Sequence, residues 1–360
     1  MVTAIDLFSG CGGLSLGAAR AGLHPTVAVE LDKHAFAAHK LNFPTCRSEQ
    51  LDLSSIDAQD IKRSYIGQPD ILFGGPPCQG FSYMGRRVLD DPRNELLRRF
   101  FHFVNALKPR VFVMENVPGL LAEASVELLQ AAISSVAEDY EVLPPVILDA
   151  ARFGAATKRR RVIVIGYIPA AVPPILIQDI LNEERGAVCV DQALASLPEP
   201  GDHDIVEVTD TNPNDYVKHL NRRIPSVGDP CAIADFERGL VSGFIATKHT
   251  PDVEARFGRT LPGATETVSR LHRLAPNEAA RTLRAGTGPD RGSFQSARPI
   301  HFSSNRVITV REAARIQGFP DWFRFHPTKW HSHRMIGNSV SPIFAEALMT
   351  PIAKALGVKS

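Results

Sequence analysis

The stretch Thr3-Ala4-Ile5-Asp6-Leu7-Phe8-Ser9-Gly10-Cys11-Gly12-Gly13 decides the fold. Thr3 to Phe8 is a β-rich apolar run, and the helical pattern Leu14 to Ala21 begins directly after the glycines. A strand that turns on glycines into a helix lets backbone N–H groups approach a ligand beside the positive helix end. A second run, Pro25 to Val29, ends on Glu30, 20 residues after Gly10, where an acidic side chain holds a ribose diol in nucleotide-binding α/β folds. A dinucleotide fingerprint would place a third glycine at position 15, which is Ser15, so an adenosyl cofactor fits better than a nicotinamide one. Asp52 follows the next apolar-polar run; it would either reach an adenine amine or cap a helix ahead of Ser54-Ser55.

The alternation continues outward from this point. Ile71 to Phe73, Arg110 to Met114 and Val162 to Tyr167 read as strands, with Asp32 to Asn42 and Asn94 to Leu107 as helices between them. The pattern predicts an α/β fold with a parallel sheet covered by helices on both faces. From Pro198 to about Gly292 the sequence changes to scattered Pro, Gly, Asp and Asn with no sustained helical period, which reads as a smaller, loop-rich module. Helical patterns return at Thr309 to Gln317 and Pro342 to Leu356. The expected division is a catalytic domain over 1–200, a second domain with its supporting segment over 201–330, and a C-terminal helix over 331–360 that returns to the first domain.

Bulk properties exclude more than they identify. With 40 basic and 39 acidic residues the formal charge is +1, so nucleic-acid binding must come from local clustering. Five cysteines without regular spacing suit a reducing compartment better than a disulfide framework or a zinc site, and no metal is expected. The most apolar stretch, Val162 to Ile180, is broken by Gly166, Pro169, Pro173 and Pro174, and residues 1–10 have no basic region followed by an apolar run. The expectation is a cytoplasmic protein, monomeric, without membrane association.

Three further segments carry chemistry. Asp70 to Ser82 runs from a strand into Gly74-Gly75-Pro76-Pro77-Cys78, a stiff loop that presents a thiol at the sheet edge. Met114-Glu115-Asn116 supplies a carboxylate at another strand end, expected in an apolar setting that would raise its pKa and let it carry a proton. Arg152 to Arg161 holds five basic residues and no acid, immediately before a strand; arginines there would fork onto phosphates or carboxylates, and a nearby cation favours a thiolate. Between Arg270 and Arg306, seven arginines face only Glu278 and Asp290, a composition suited to phosphate contacts.

In this order the motifs resemble those of the DNA cytosine-5 methyltransferases, bacterial type, along nearly the whole chain. The resemblance rests on Asp6 to Gly13, on Gly75-Pro76-Pro77-Cys78-Gln79-Gly80-Phe81-Ser82, on Glu115-Asn116-Val117, on Arg306 to Glu312 continued by Ala313-Ala314-Arg315-Ile316-Gln317-Gly318-Phe319-Pro320, and on Gly337-Asn338-Ser339-Val340. It implies a Rossmann-like S-adenosylmethionine-dependent sheet with a smaller target-recognition domain. It implies S-adenosylmethionine, with S-adenosylhomocysteine as product, held by Phe8, Gly10, Gly12, Glu30, Leu31, Asp52, Leu53, Pro76, Leu96, Asn338 and Ser339. Cys78 would add to C6 of a flipped cytosine, Glu115 would serve N3, Arg161 would orient the base and Glu115, and Arg159 would be its partner. Gln79, Ser82, Thr282, Leu283 and Arg284 would touch duplex DNA, and a cognate restriction endonuclease would act on the same site. Two positions depart from the family pattern: Ala156-Thr157 stands where relatives carry Pro-Gln, and Pro342 falls one place later than in many of them. The competing readings are an RNA cytosine-5 methyltransferase of the same fold, a dinucleotide oxidoreductase and a catalytically dead DNA-binding regulator.

Overall fold

The computed structural model describes residues 2–57, 61, 68–77, 93–210, 212–286 and 298–358. Strands β1 (Ala4–Leu7), β2 (Pro25–Glu30), β3 (Arg47–Gln50), β4 (Ile71–Gly74), β5 (Val111–Asn116), β6 (Glu141–Val142), β7 (Val146–Asp149) and β8 (Arg160–Tyr167) form one sheet in the order β3-β2-β1-β4-β5-β8, with β6 and β7 both on the far side of β8. The chain leaves β1 toward β2 and β3, then returns to β4 on the other side of β1. That reversal opens a crevice above the carboxyl ends of β1 and β4, where open α/β sheets bind their ligands.

The first five strands are parallel, as expected. The strand over Val162–Tyr167 is not: β8 runs antiparallel to β5, from Val111↔Tyr167 to Asn116↔Val162. The reason lies in the connection before it. β7 is joined to β8 through residues 150–159, a short 3₁₀ turn ending on left-handed Gly154, too short for the helical crossover that a parallel neighbour requires.

The central strands β1, β4, β5 and β8 are buried on both faces, which is why they read as largely continuous apolar runs rather than alternating ones. One face packs Ile5, Leu7, Leu72, Phe112, Met114 and Val164 against α3 (Arg93–Leu107), through Leu97, Phe100, Phe101 and Val104. The other packs Ala4, Phe73, Val113 and Ile165 against α12 (Pro342–Ala355), through Phe344, Leu348 and Ile352. Helix α1 (Gly13–Arg20) is buried at every position, because α12 covers the side that the sheet does not. α2 (Lys33–Asn42) starts on Asp32, whose side chain accepts from the backbone N–H of His34 and Ala35. α4 (Glu123–Ser134), α5 (Ile177–Leu181) and α6 (Val190–Leu194) follow along the chain.

The stretch expected to be loop-rich holds a two-stranded antiparallel ribbon, β9 (Ile205–Glu207) with β10 (Leu240–Ser242), and three short helices: α7 (Asp215–Leu220), α8 (Pro230–Glu237) and α9 (Pro251–Arg259). Residues that look like loop formers are helix starts here. Asn214 and Asp229 accept from the N–H of Val217 and Ala232, while Pro230 and Pro251 occupy first helical positions, where a missing N–H costs nothing. α10 (Val310–Gln317) begins with a reciprocal capping box between Thr309 and Glu312. α11 (Lys329–Asn338) leads into α12. A third apolar cluster joins Leu16, Phe43 and Cys46 of the first module to Leu283, Ile308, Ile316, Phe319 and Trp322. Among the described residues no helix is long and apolar enough to cross a membrane.

The α1–α12 contact is close. A Cβ on Gly17 would overlap the Cβ of Ala345 and the backbone of Glu346, so only glycine lets the helices approach this far. Gly17→Val should lower stability by about 1–3 kcal/mol or more, because backbone rather than a flexible side chain must move. Urea unfolding checks this; an unchanged midpoint would show that the contact is not tight.

Candidate active site

The turn after β1 takes left-handed backbone at Phe8 (φ 61°), Gly10 (φ 57°) and Gly12 (φ 100°). At Gly12 a side chain would strike the Phe43 ring, whereas at Gly10 it would meet nothing within 4 Å among the described residues, the geometry of a turn against which a ligand can lie. Glu30 braces the turn. Its Oε2 accepts from the Gly10 N–H at 2.7 Å and its Oε1 from the Asp32 N–H at 2.8 Å. Burial raises the carboxyl's pKa, and these two bonds partly offset that shift. Two buried oxygens at the turn, Ser9 Oγ and Asp6 Oδ1, have no hydrogen-bond partner among the described residues.

Asn338 and Ser339 arrive from the other end of the chain. Ser339 Oγ lies 3.1 Å from Cys11 Sγ and donates to the Met335 carbonyl at 2.7 Å, and a Cβ on Gly13 would strike the Val340 carbonyl. The remaining expected cofactor contacts spread around this centre. Leu31 is exposed next to Glu30, and Leu96 is half-buried on α3. Leu53 packs its side chain into the core beside Leu97 and Phe101. Asp52 caps no helix: its exposed carboxylate accepts from the Ser54 N–H at 2.9 Å within a turn, which lowers its pKa.

Two strands away, Glu115 stands at the end of β5 with only 9% of its surface exposed. Its setting is not apolar. Arg161 Nε on β8 lies 2.5 Å from Glu115 Oε1, and Gly75 passes so close on the other side that a Cβ there would sit 2.9 Å from Oε2. Antiparallel pairing of β8 with β5 places this arginine beside the strand-end acid, opposing Glu115 to Ile163 with Arg161 a short step further on. Asn116 Nδ2 donates to the Pro76 carbonyl at 3.2 Å, tying the start of the Pro-Pro-Cys loop to the same strand end. Cys78, Gln79 and Ser82 themselves lie outside the described residues.

Arg159 is buried between three segments. Its guanidinium donates to the carbonyls of Leu283 (3.3 Å) and Asn338 (3.2 Å), while its Nε has no partner among the described residues. Burial pushes its pKa well down, the Arg161 charge adds to this, and Glu115 opposes it. Alongside, Lys158 N–H donates to the Ala280 carbonyl, Ala280 N–H to that of Ala156, and Thr282 Oγ1 to that of Lys158 at 2.6 Å. Gly337 allows the backbone of Arg284 and Ala285 to come against α11. Thus residues 156–161, 280–285 and 337–339 meet at one junction; Leu283 is buried in it and Arg284 is exposed. Thr157 is fully buried, its hydroxyl has no hydrogen-bond partner among the described residues, and its backbone pairs with Ala280.

Sequence reasoning missed the support beneath the turn. Asp6 Oδ2 accepts from Ser15 Oγ at 2.5 Å, Ser15 Oγ lies 3.1 Å from His39 Nε2, and His39 Nδ1 lies 3.0 Å from Ser48 Oγ. Burial raises the Asp6 carboxyl to about 8, opposed by the Ser15 bond, and lowers His39 to about 3. Only the absence of a glycine at Ser15 drew attention to this chain. It also missed that the Arg311–Pro320 motif is a brace. Arg311 donates to the carbonyls of Ser242, Pro320 and Phe323, and Arg315 forks onto both oxygens of Asp321 at 2.9 and 2.7 Å.

A glycine turn at one strand end and, two strands away, an acid paired with an arginine mark the candidate active site of an α/β enzyme. The model of the C-5 cytosine-specific DNA methylases matches residues 2–354, and the chain belongs to that family. It is a DNA cytosine-5 methyltransferase. The chain is 41% identical to the Type II methyltransferase M.XorII of Xanthomonas oryzae over 99% of its own length and 85% of that protein's, and 33% identical to M.DdeI of Desulfomicrobium norvegicum over 97% and 88%. Among solved structures it is similar to a prophage-encoded DNA modification methyltransferase of Escherichia coli, with a TM-score of 0.89, 39% identity, and 99% and 100% of the two chains covered.

The raised Asp6 pKa has a consequence for stability. In the folded state Asp6 stays protonated up to about pH 8, whereas unfolded it ionises near 3.8, so its contribution declines as pH rises between those values. Asp6→Asn, which cannot ionise, should therefore gain stability relative to the parent as pH goes from 5 to 8. Denaturant unfolding of both proteins across that range checks it; a difference independent of pH would show that Asp6 ionises normally.

Proposed function

We propose that this enzyme methylates C5 of a cytosine flipped out of a specific duplex DNA sequence, through a covalent bond between Cys78 and C6. The arrangement of Glu115, Arg161, Gly75 and Pro76 at adjoining strand ends carries the reading. C5 and C6 of a stacked base expose only their edge, so attack on the ring face needs the nucleotide in the pocket, at a cost of about a few kcal/mol.

The turn fits S-adenosylmethionine. Three features support this: among the described residues nothing lies within 4 Å of where a Gly10 Cβ would be, Glu30 is held against the Gly10 N–H where it would meet a ribose, and Ser9 Oγ and Asp6 Oδ1 have no partner among those residues. When bound, this cofactor supplies an electrophilic methyl group. Phe8, Gly10, Gly12, Glu30, Leu31, Asp52, Pro76, Leu96, Asn338 and Ser339 would hold it, with Leu53 supporting from the core. The chain's residues supply the rest. The Cys78 thiolate adds to C6, and the electron pair displaced onto the ring makes C5 nucleophilic. Glu115 holds or delivers the proton at N3, offsetting the charge that develops there. Arg161, 2.5 Å from Glu115, orients that carboxyl and the base edge. After C5 is alkylated, a base removes the C5 proton, the C5–C6 double bond re-forms and Cys78 leaves.

Arg159 is better placed to fix the junction of 156–161, 280–285 and 337–339 than to touch the base directly, since two of its N–H groups go to carbonyls there. Through this junction the 201–330 module, with Thr282, Leu283 and Arg284 at its inner edge, would read the DNA. Gln79 and Ser82 would contact it from the cysteine loop. The later position of Pro342 is conservative, because it occupies the first turn of α12, where proline is favoured. The relatives' designation as Type II methyltransferases supports a role in protecting DNA against a partner restriction endonuclease.

Duplex DNA carrying 5-fluorocytosine should trap the enzyme as a denaturation-resistant adduct in the presence of S-adenosylmethionine, and Cys78→Ser should form none. An adduct with RNA but not with DNA would overturn the reading. Glu115→Gln should reduce single-turnover methylation by about 10²–10⁴-fold, as for loss of a general acid. Arg161→Lys keeps the charge but not the fork, and should fall between parent and Glu115→Gln; parental activity in either variant would remove the ion pair from the mechanism.

A further inference from the structure

Away from the strand-end site the fold brings His34 together with His326 and His331, a pair five residues apart that lies almost 300 residues further along the chain. His34 lies in the first turn of α2, His326 in the segment 318–328 after α10, and His331 near the start of α11. Ring centroids are 3.8 Å apart for His34 and His331, 4.6 Å for His34 and His326, and 4.5 Å for His326 and His331. One nitrogen from each ring falls within 4.8 Å of the others, and all three side chains are half-buried. We propose that His34, His326 and His331 form a binding site for a divalent transition-metal ion of the zinc type.

The donor set decides the class of ion. Three imidazoles suit zinc, nickel, cobalt or copper and are poor partners for magnesium or calcium, which require oxygen ligands. The neighbouring carboxylate, Asp32, is already committed: Oδ1 caps α2 and Oδ2 faces Arg334 Nη1 at 3.2 Å. Bonds of roughly 2.0–2.1 Å to a tetrahedral ion put ligand nitrogens roughly 3.3 Å apart, so from a spacing within 4.8 Å the rings need to close by at most about 1.5 Å. Among the described residues no hydrogen bond engages a ring nitrogen of His34 or His331. His326 is the weaker ligand, because its Nδ1 accepts from the Thr328 N–H at 2.9 Å. Binding through its Nε2 moves the ring proton to Nδ1 and gives up that bond. His326 also lines a cavity of about 340 Å³. Three protein ligands leave the fourth position to water.

The site would be structural and independent of methyl transfer. α2 is the helix that Asp32 caps directly after Glu30, and α11 is the helix that ends at Asn338-Ser339. An ion would pin the starts of both helices together behind the cofactor turn. It would stabilise the folded state by mass action, because the unfolded chain does not hold the three rings together.

The test uses tag-free full-length protein freed of metal by a chelator, titrated with zinc in competition with a chromophoric chelator and followed in parallel by thermal unfolding. One equivalent should bind and raise the midpoint, with magnesium having no effect. His34→Ala and His331→Ala should abolish both responses, and His326→Ala should weaken binding by about tenfold, reflecting the hydrogen bond it must surrender. Cys231→Ser, which removes an exposed thiol, should leave binding unchanged. Cobalt added to the parent protein should show ligand-field bands without thiolate charge transfer, a readout that needs no variant to fold. Binding that survives loss of His34 and His331, a thiolate band, or no binding beyond that of buffer would each overturn the assignment.

Discussion

The structure depends on the return of the last 20 or so residues to the first turn. Ser339 meets Cys11 across a separation of 328 residues, Val340 presents its carbonyl to Gly13, and Ala345 meets Gly17. Each contact requires a missing or small side chain on the N-terminal partner. The glycines of the opening motif therefore serve two surfaces. A Cβ on Gly10 would meet nothing within 4 Å among the described residues, whereas Gly13 and Gly17 face the C-terminal segment. A turn with φ near +60° at Phe8 is strained for a residue with a side chain, and such geometry persists only where the surroundings over-determine it. Here the Glu30 carboxylate holds it from one side and the 339–345 segment supports it from the other.

Four of the buried arginines divide into two groups by what their donors meet. Arg311 and Arg315 are almost entirely buried, and the first is met by three carbonyls, the second by a bidentate carboxylate and the Ala195 carbonyl. Breaking such a buried pair from one side costs about 3–5 kcal/mol, so these residues fix how α10 seats between the sheet and the second module. Arg159 is also buried, but its Nε has no partner among the described residues, and Arg161 gives its Nε to Glu115 and its Nη1 to the Arg160 carbonyl. An unpartnered donor does not by itself mark a site arginine, since Arg20 Nε and Nη1 also lack partners among the described residues; what sets Arg159 and Arg161 apart is the Glu115 carboxylate beside them.

Much of this was legible in the sequence, for identifiable reasons. The strand, turn and helix from Thr3 to Ala21 read correctly because apolar period and glycine placement agree, and the Thr309 to Gln317 helix because its capping box is local. The direction of β8 was not legible, since strand propensity carries no information on which neighbour the chain returns to. The helices of 201–292 were hidden by their own caps: Asn214, Asp229, Pro230 and Pro251 look like loop composition until followed by one helical turn. The apolar setting expected for Glu115 failed because Arg161 reaches it only through the antiparallel pairing. The histidine cluster could not be read at all, as its three members share no spacing that a local motif would reveal.

The pairing register explains why the chemistry converges. Leu7 pairs with Gly74, and Gly74 with Met114, so the next residue on each strand, Phe8, Gly75 and Glu115, continues one row across β1, β4 and β5. Neighbouring strands are about 4.8 Å apart, which puts the cofactor turn and the carboxylate roughly 10 Å from each other, with β4 between them. A planar base entering above β4 would reach the turn with one edge and Glu115 with the other. The segment that begins at Pro76 starts midway along that row, held there by the Asn116 side chain. One-residue slippage in any of these strands would turn its site residue to the opposite face, which is why the glycine pair Gly74-Gly75, packed against the Leu7 carbonyl and Glu115, matters as much as the charged groups.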